Sequence, residues 1–211
     1  MIKVVLFDLG NVILPVDGHR MARKLTQHSH LTVDEILSHF GKHEVVDSFE
    51  KGKLSPIDFF HHIRTSCSLK NLEFDEFLPL FNDIFEIDVP VVELIKELKK
   101  SVKLGMISNT NEIHSTHLLK EFELFAHFHK VWFSNDVGMR KPDPAIYQLA
   151  LSHFNSKPEE TVFIDDLEPN VAGAEKVGIK AIHFKNYELL VEELSDVGVL
   201  PAPNGAHRRN T

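Results

Sequence analysis

Two short apolar runs constrain this chain more than anything else in it. Val4-Val5-Leu6-Phe7 stops at Asp8-Leu9-Gly10-Asn11, and Thr161-Val162-Phe163-Ile164 stops at Asp165-Asp166. A short unbroken apolar run bounded by polar turn residues reads as a strand buried on both faces, the kind found in parallel sheets. Three more segments read the same way. Val102 to Ile107 ends at Ser108-Asn109-Thr110, Lys130 to Phe133 ends at Ser134-Asn135-Asp136, and Lys180 to Phe184 is the last. Helical patterns alternate with them at Val91–Leu98, His117–Phe125, Ala145–Leu151 and Val171–Val177, the last closed by Gly178 as a C-terminal cap. Strands alternating with helices predict βαβ units and an α/β, Rossmann-like parallel sheet.

The stretch between the first two strands has a different period. Thr32 with Glu35 three residues on is a capping box, and Ser55 before Pro56 is a second helix start. Phe59, Phe60, Ile63, Phe74, Phe77, Leu78, Phe81 and Phe85 recur at near-helical spacing and read as the core of a small helical unit, a few of them available to cover a substrate. The expected organisation is a Rossmann-like core of residues 1–14 and 89–198, a helical cap at 15–88, and a flexible tail at 199–211 rich in Pro, Gly and polar residues.

Composition narrows the partners. Apolar residues make up 43%, enough for a sizeable core, and the net charge is −8. A nucleic-acid binder would carry a basic stripe, and an anionic membrane surface would repel this chain. No stretch approaches the roughly 20 apolar residues of a membrane span. The short N-terminal apolar run, interrupted by Asp8, lacks the form of a signal peptide. With a single cysteine, Cys67, no disulfide can form within the chain, and a cytoplasmic location is expected. Close histidine pairs (28 and 30, 61 and 62, 127 and 129) match no zinc spacing, and no glycine-rich nucleotide loop lies near Lys141. Nothing in the sequence speaks to oligomeric state.

In open parallel sheets ligands bind beyond the carboxyl ends of the strands. There this chain gathers Asp8, then Ser108-Asn109, then Lys141 in a loop, then Asp165-Asp166. The four segments Phe7-Asp8-Leu9-Gly10-Asn11-Val12, Ile107-Ser108-Asn109-Thr110, Arg140-Lys141-Pro142-Asp143-Pro144 and Phe163-Ile164-Asp165-Asp166, in this order, resemble the haloacid dehalogenase superfamily, most of whose members are phosphohydrolases. Phe49-Glu50-Lys51-Gly52-Lys53-Leu54-Ser55 resembles the helical caps of bacterial members, and the first motif is similar to that of the bacterial glucose-1-phosphate phosphatase type.

The resemblance implies a Mg²⁺-dependent phosphatase of a small phosphorylated substrate. Asp8 would be the nucleophile. The metal would be held by Asp8, the Gly10 carbonyl and Asp165, with Asp166 on a bound water. Ser108, Asn109 and the amides near them would bind phosphoryl oxygens together with Lys141, which neutralises charge. One position departs from the family pattern. Most of these phosphatases carry a second Asp two residues after the nucleophile as general acid and base, and here that residue is Gly10. Asn11 or His19 is the expected substitute for positioning water. Two other readings remain open. One is a domain that binds phosphate without turning it over. The other is a haloacid dehalogenase, a class that typically has Tyr at the Gly10 position and Ser-Asn where Asp165-Asp166 stand.

Overall fold

The computed structural model describes residues 1–41 and 44–201. Five strands form one parallel sheet: β1 (Val4–Phe7), β2 (Lys103–Ser108), β3 (Lys130–Phe133), β4 (Thr161–Asp165) and β5 (Lys180–His183), in the order β3-β2-β1-β4-β5. The chain starts in the middle. It builds outward first on one side of β1 and then on the other, which places the topological switch point beside β1. Val4 lies level with Thr161 and Phe7 with Ile164, so the register carries Asp8 alongside Asp165. The Asp8 amide donates to the Ile164 carbonyl at 2.8 Å.

Both faces of the sheet are covered, which is why its strands are unbroken apolar runs. Val5, Phe7, Leu104, Met106, Val162 and Ile164 pack against α6 (Val89–Leu98), α7 (Glu112–Glu121) and α11 (Tyr187–Asp196). Val4, Leu6, Ile107, Trp132 and Phe163 pack against α9 (Pro144–Phe154) and α10 (Glu168–Lys176). A short helix, α8 (Ser134–Val137), follows β3 directly. The helix expected from His117 begins earlier, because Asn111 caps it by accepting from the His114 amide. Such a start is set by one local hydrogen bond and leaves no mark on hydrophobic spacing.

Between β1 and α6 lie α1 (Gly18–Leu25), α2 (Val33–His39), α3 (Glu44–Glu50), α4 (Pro56–Ser66) and α5 (Phe74–Asn82). The Thr32–Glu35 capping box and the Ser55 cap form as the sequence predicts. These helices close on their own cluster, which contains Phe49, Phe59, Phe60, Ile63, Phe77 and Phe81. Phe49 stacks on Phe59 with ring centroids 4.2 Å apart. Two adjacent segments lead in and out of this unit. The Asp17 amide donates to the Ile84 carbonyl, Glu86 to Pro15 and Asp88 to Ile13, at 2.8, 3.0 and 3.1 Å.

Of the expected tail, the Val199 and Leu200 amides bond back to the Leu194 carbonyl. The remainder of that segment, 202–211, lies outside the described residues. Among the described residues no helix is long and apolar enough to cross a membrane.

Candidate active site

Lys141 is the centre of the site. Its Nζ lies 2.5 Å from Asp8 Oδ1 and 2.6 Å from Asp165 Oδ2, and its side chain is almost wholly buried. Asp165 is 0% exposed and Asp8 7%. Removing three charges from water is costly, and such a group persists only where the charges satisfy one another. Here two carboxylates face one ammonium. Burial pushes the Asp8 carboxyl up to about 7; Lys141 pulls it back and the Asp165 charge adds to the rise. Burial disfavours the Lys141 ammonium, but the two carboxylates more than offset this and hold its pKa above the usual lysine value.

Asp165 is fixed from several sides. Its Oδ1 accepts from the Leu167 amide at 2.9 Å, and Asn170 Nδ2 reaches Oδ1 and Oδ2 at 2.9 and 3.1 Å. Asn170 stands in the first turns of α10, five residues after the strand end. Its carbonyl accepts from the Tyr147 hydroxyl at 2.8 Å. Asp166 is half-buried, which raises its pKa, and its Oδ2 accepts from Asn11 Nδ2 at 3.2 Å. Asp8, Asp165 and Asp166 each offer a carboxylate oxygen, and these atoms lie within 4.8 Å of one another. Hard oxygen donors carrying excess negative charge are the set that Mg²⁺ prefers. The donors present therefore fit that ion.

The loop that bears Lys141 is clamped. Asn109 Nδ2 donates to the Lys141 carbonyl at 2.9 Å, and its Oδ1 accepts from the Lys141 amide at 2.8 Å. Both polar atoms of the Asn109 side chain are thus engaged in holding the lysine. Ser108, buried at the end of β2, lines the same cavity as Asp8 and Lys141, and no described residue engages its hydroxyl. Beneath the loop, α10 comes unusually close at Gly173. A Cβ there would sit 2.8 Å from Pro142 Cβ and 2.9 Å from the Pro142 carbonyl oxygen.

Arg140, next in the chain, ties the loop to the inserted helices. It reaches Asp47 Oδ1 at 2.9 Å and Glu50 Oε2 at 2.8 Å, both on α3. Close by, Gly52 has φ +66°, and a Cβ there would meet the Asn135 carbonyl at 2.3 Å.

A cavity of about 480 Å³ opens from the carboxylates toward the inserted helices. Asp8, Gly10, Asn11, Ser108, Asn109, Lys141 and Asp166 all line it. Asp165 lies behind Lys141 and is not on the wall. His19 is exposed on α1, beside Asp17 at 3.9 Å, and does not line the cavity, whereas Asn11 does. A Cβ at Gly10 would meet Val16 at an ordinary 3.6 Å, so packing does not demand glycine there.

Sequence reasoning missed the roles of Asn170, Arg140, Glu50 and His114. A polar residue one turn into the helix after an acidic strand end was a usable signal for Asn170. The other three depend on contacts between segments far apart in the chain.

Known proteins resemble this chain in sequence and in shape. It is 27% identical over 196 residues to a D-ribitol-5-phosphate phosphatase of Bacteroides thetaiotaomicron, covering 88% of this chain and 93% of that one. It is 28% identical to a sesquiterpene phosphatase of Aspergillus oryzae, covering 86% and 89%. Among solved structures, a HAD family enzyme of Bacteroides thetaiotaomicron in complex with magnesium and inorganic phosphate superposes with a TM-score of 0.82. Identity there is 25%, over 90% of this chain and 99% of that one. Residues 2–178 match the family model itself, and the chain belongs to the haloacid dehalogenase-like hydrolases.

Proposed function

We propose that the protein is a Mg²⁺-dependent phosphomonoester hydrolase acting on a small phosphorylated metabolite, sugar phosphates among the candidates. The observation that carries this reading is the buried Asp8–Lys141–Asp165 group with Asp166 beside it, at the mouth of a cavity. The named activities of the two phosphatase relatives point the same way.

Asp8, Asp165, Asp166 and the Gly10 carbonyl are the groups to hold the metal. Bound there, Mg²⁺ supplies the positive charge that lets an anionic carboxylate meet an anionic ester. An Asp8 oxygen attacks phosphorus, the ester P–O bond breaks, and the alkoxide leaves with a proton from water. Water then cleaves the aspartyl phosphate, which restores Asp8 and releases phosphate. Lys141, already against Asp8, neutralises charge building on the nucleophile and the transferring group. Ser108 offers its free hydroxyl to a phosphoryl oxygen, and Asn109 acts by holding the Lys141 backbone. With glycine at position 10, Asn11 is the neighbouring group able to orient water, since it lines the cavity and is itself held by Asp166.

In this reading residues 15–88 form the cap over a core of 1–14 and 89–198, working in the cytoplasm. The separate hydrophobic cluster of the inserted helices supports that division. The acidic pair favours the phosphatase over a dehalogenase, which needs no metal.

The test is phosphate release from para-nitrophenyl phosphate and a panel of metabolite phosphates, with Mg²⁺ and with EDTA. Turnover is expected only with Mg²⁺, and Asp8→Asn should lower it by about 10⁴-fold or more. Turnover that survives EDTA, or that Asp8→Asn leaves intact, would sink the proposal.

A further inference from the structure

Away from the carboxylates, the cavity changes character. Its wall on the side of the inserted helices is built from Met21, Leu37, Phe40, Phe49, Phe59 and Phe81. His114 of α7, which lines the cavity where the core meets that wall, brings no charge. It lies flat against Phe81 with ring centroids 4.1 Å apart, meets Phe85 edge-on at 5.1 Å, and is bonded through Nδ1 to Asn82 Oδ1 at 2.9 Å. Burial pushes its pKa down to about 3, so the ring is neutral. Glu50 and Arg140 are the charged pair on the wall beyond the phosphate end; they pair at 2.8 Å, with Arg140 Nε left without a hydrogen-bond partner, so polar side-chain atoms on that wall are confined to this one pair.

A hydroxylated leaving group fits such a wall badly. Each hydroxyl moved from water into an apolar chamber without a partner weakens binding by about 5- to 150-fold. Hydrocarbon placed there gains instead, by about fourfold in affinity for each methylene buried. The chamber is continuous with the carboxylate end, so one molecule can occupy both: its phosphate at Lys141 and Ser108, its remaining atoms among the phenylalanines.

We infer that the substrate is a phosphate monoester whose alcohol part is predominantly hydrocarbon, and that the ring of apolar side chains on α1 to α5 selects it over polyol and sugar phosphates. This rests on the phosphohydrolase reading and narrows it.

The experiment uses the wild-type protein with Mg²⁺ and non-hydrolysable phosphonates, followed by calorimetry. Ethyl-, butyl-, hexyl- and octylphosphonate form the length series. Propylphosphonate and 2,3-dihydroxypropylphosphonate form a matched pair that differs only in hydroxyls. Affinity is expected to rise by about fourfold per methylene until the chamber is full, and the diol to bind at least about tenfold more weakly than its parent. Val46→Trp, which places an indole on the chamber wall, should flatten the series. A flat series in the wild type, or a diol bound as tightly as its parent, overturns the inference.

Turnover of octyl phosphate and of para-nitrophenyl phosphate, measured alongside, keeps the two readings apart. A rising series without any phosphate release upholds the apolar chamber and refutes the hydrolase. Phosphate release with a flat series does the reverse.

Discussion

The carboxyl end of the sheet and the helices inserted after β1 share one cavity but are built on opposite principles. At the sheet end the groups that matter are charged, buried and held by hydrogen bonds from backbone and amide side chains. On the inserted helices they are apolar and held by one another. The first kind of construction fixes atoms to within a hydrogen bond, as group transfer requires. The second fixes a volume and a polarity, which suffices to sort leaving groups. Chemistry and selectivity are thereby separable, and mutations should fail differently in the two halves.

The sharpest contrast pairs one substitution from each. Lys141→Met leaves Asp8 and Asp165 facing each other without their cation, and should cost about 3–5 kcal/mol of stability. Phe59→Ala empties part of the phenylalanine cluster and should also cost about 3–5 kcal/mol. Denaturant unfolding with and without Mg²⁺ separates them. The ion should restore much of the stability lost in Lys141→Met, because it offers the carboxylates another cation. It should restore none in Phe59→Ala beyond what it gives the wild type. Equal rescue of both would break the division.

Asn170→Ala tests the hydrogen-bonded half alone. Asn170 touches both oxygens of Asp165, and losing such an orienting partner should weaken Mg²⁺ binding by about 10- to 100-fold. Titration calorimetry of Mg²⁺ against the variant reads this directly. An unchanged affinity would mean that the Leu167 amide and Lys141 orient Asp165 on their own.

The smallest effect concerns the seam between the two halves, where His114 of α7 stacks on Phe81 of the inserted helices. His114 is buried neutral, with a pKa lowered to about 3 from its ordinary 6.5. On unfolding below about pH 6.5 it takes up a proton. The stability it contributes is therefore present above that pH and lost as pH falls toward about 3. His114→Gln removes the dependence. Between about pH 7 and about pH 5 the wild type should lose about 1–2 kcal/mol more stability than the variant in urea titrations. Parallel pH profiles would show that the ring is hydrated in the native protein.

The two halves also differed in how far they could be read from sequence. Asp8 and Asp165 are legible because a buried parallel strand must end somewhere, and an acidic residue stands out after an apolar run. The Thr32 and Ser55 caps are legible because capping is local. Asn109 was expected on a phosphoryl oxygen, yet the structure engages both its polar atoms with Lys141, 32 residues away. Arg140 meets Asp47 and Glu50 across 93 and 90 residues. No spacing rule reaches that far. The phenylalanines were legible as core from their period, but which of them face a void is decided by how α1 to α5 cross, and periodicity does not encode crossing.

Gly173 touches none of the groups assigned to chemistry, yet it sets the height of the floor on which Lys141 rests, through Pro142. In a saturation library this position should therefore score like an active-site residue. Even alanine would wedge α10 away from the loop and lift the ammonium off its two carboxylates. A survey that ranks positions by distance to the substrate would pass it over.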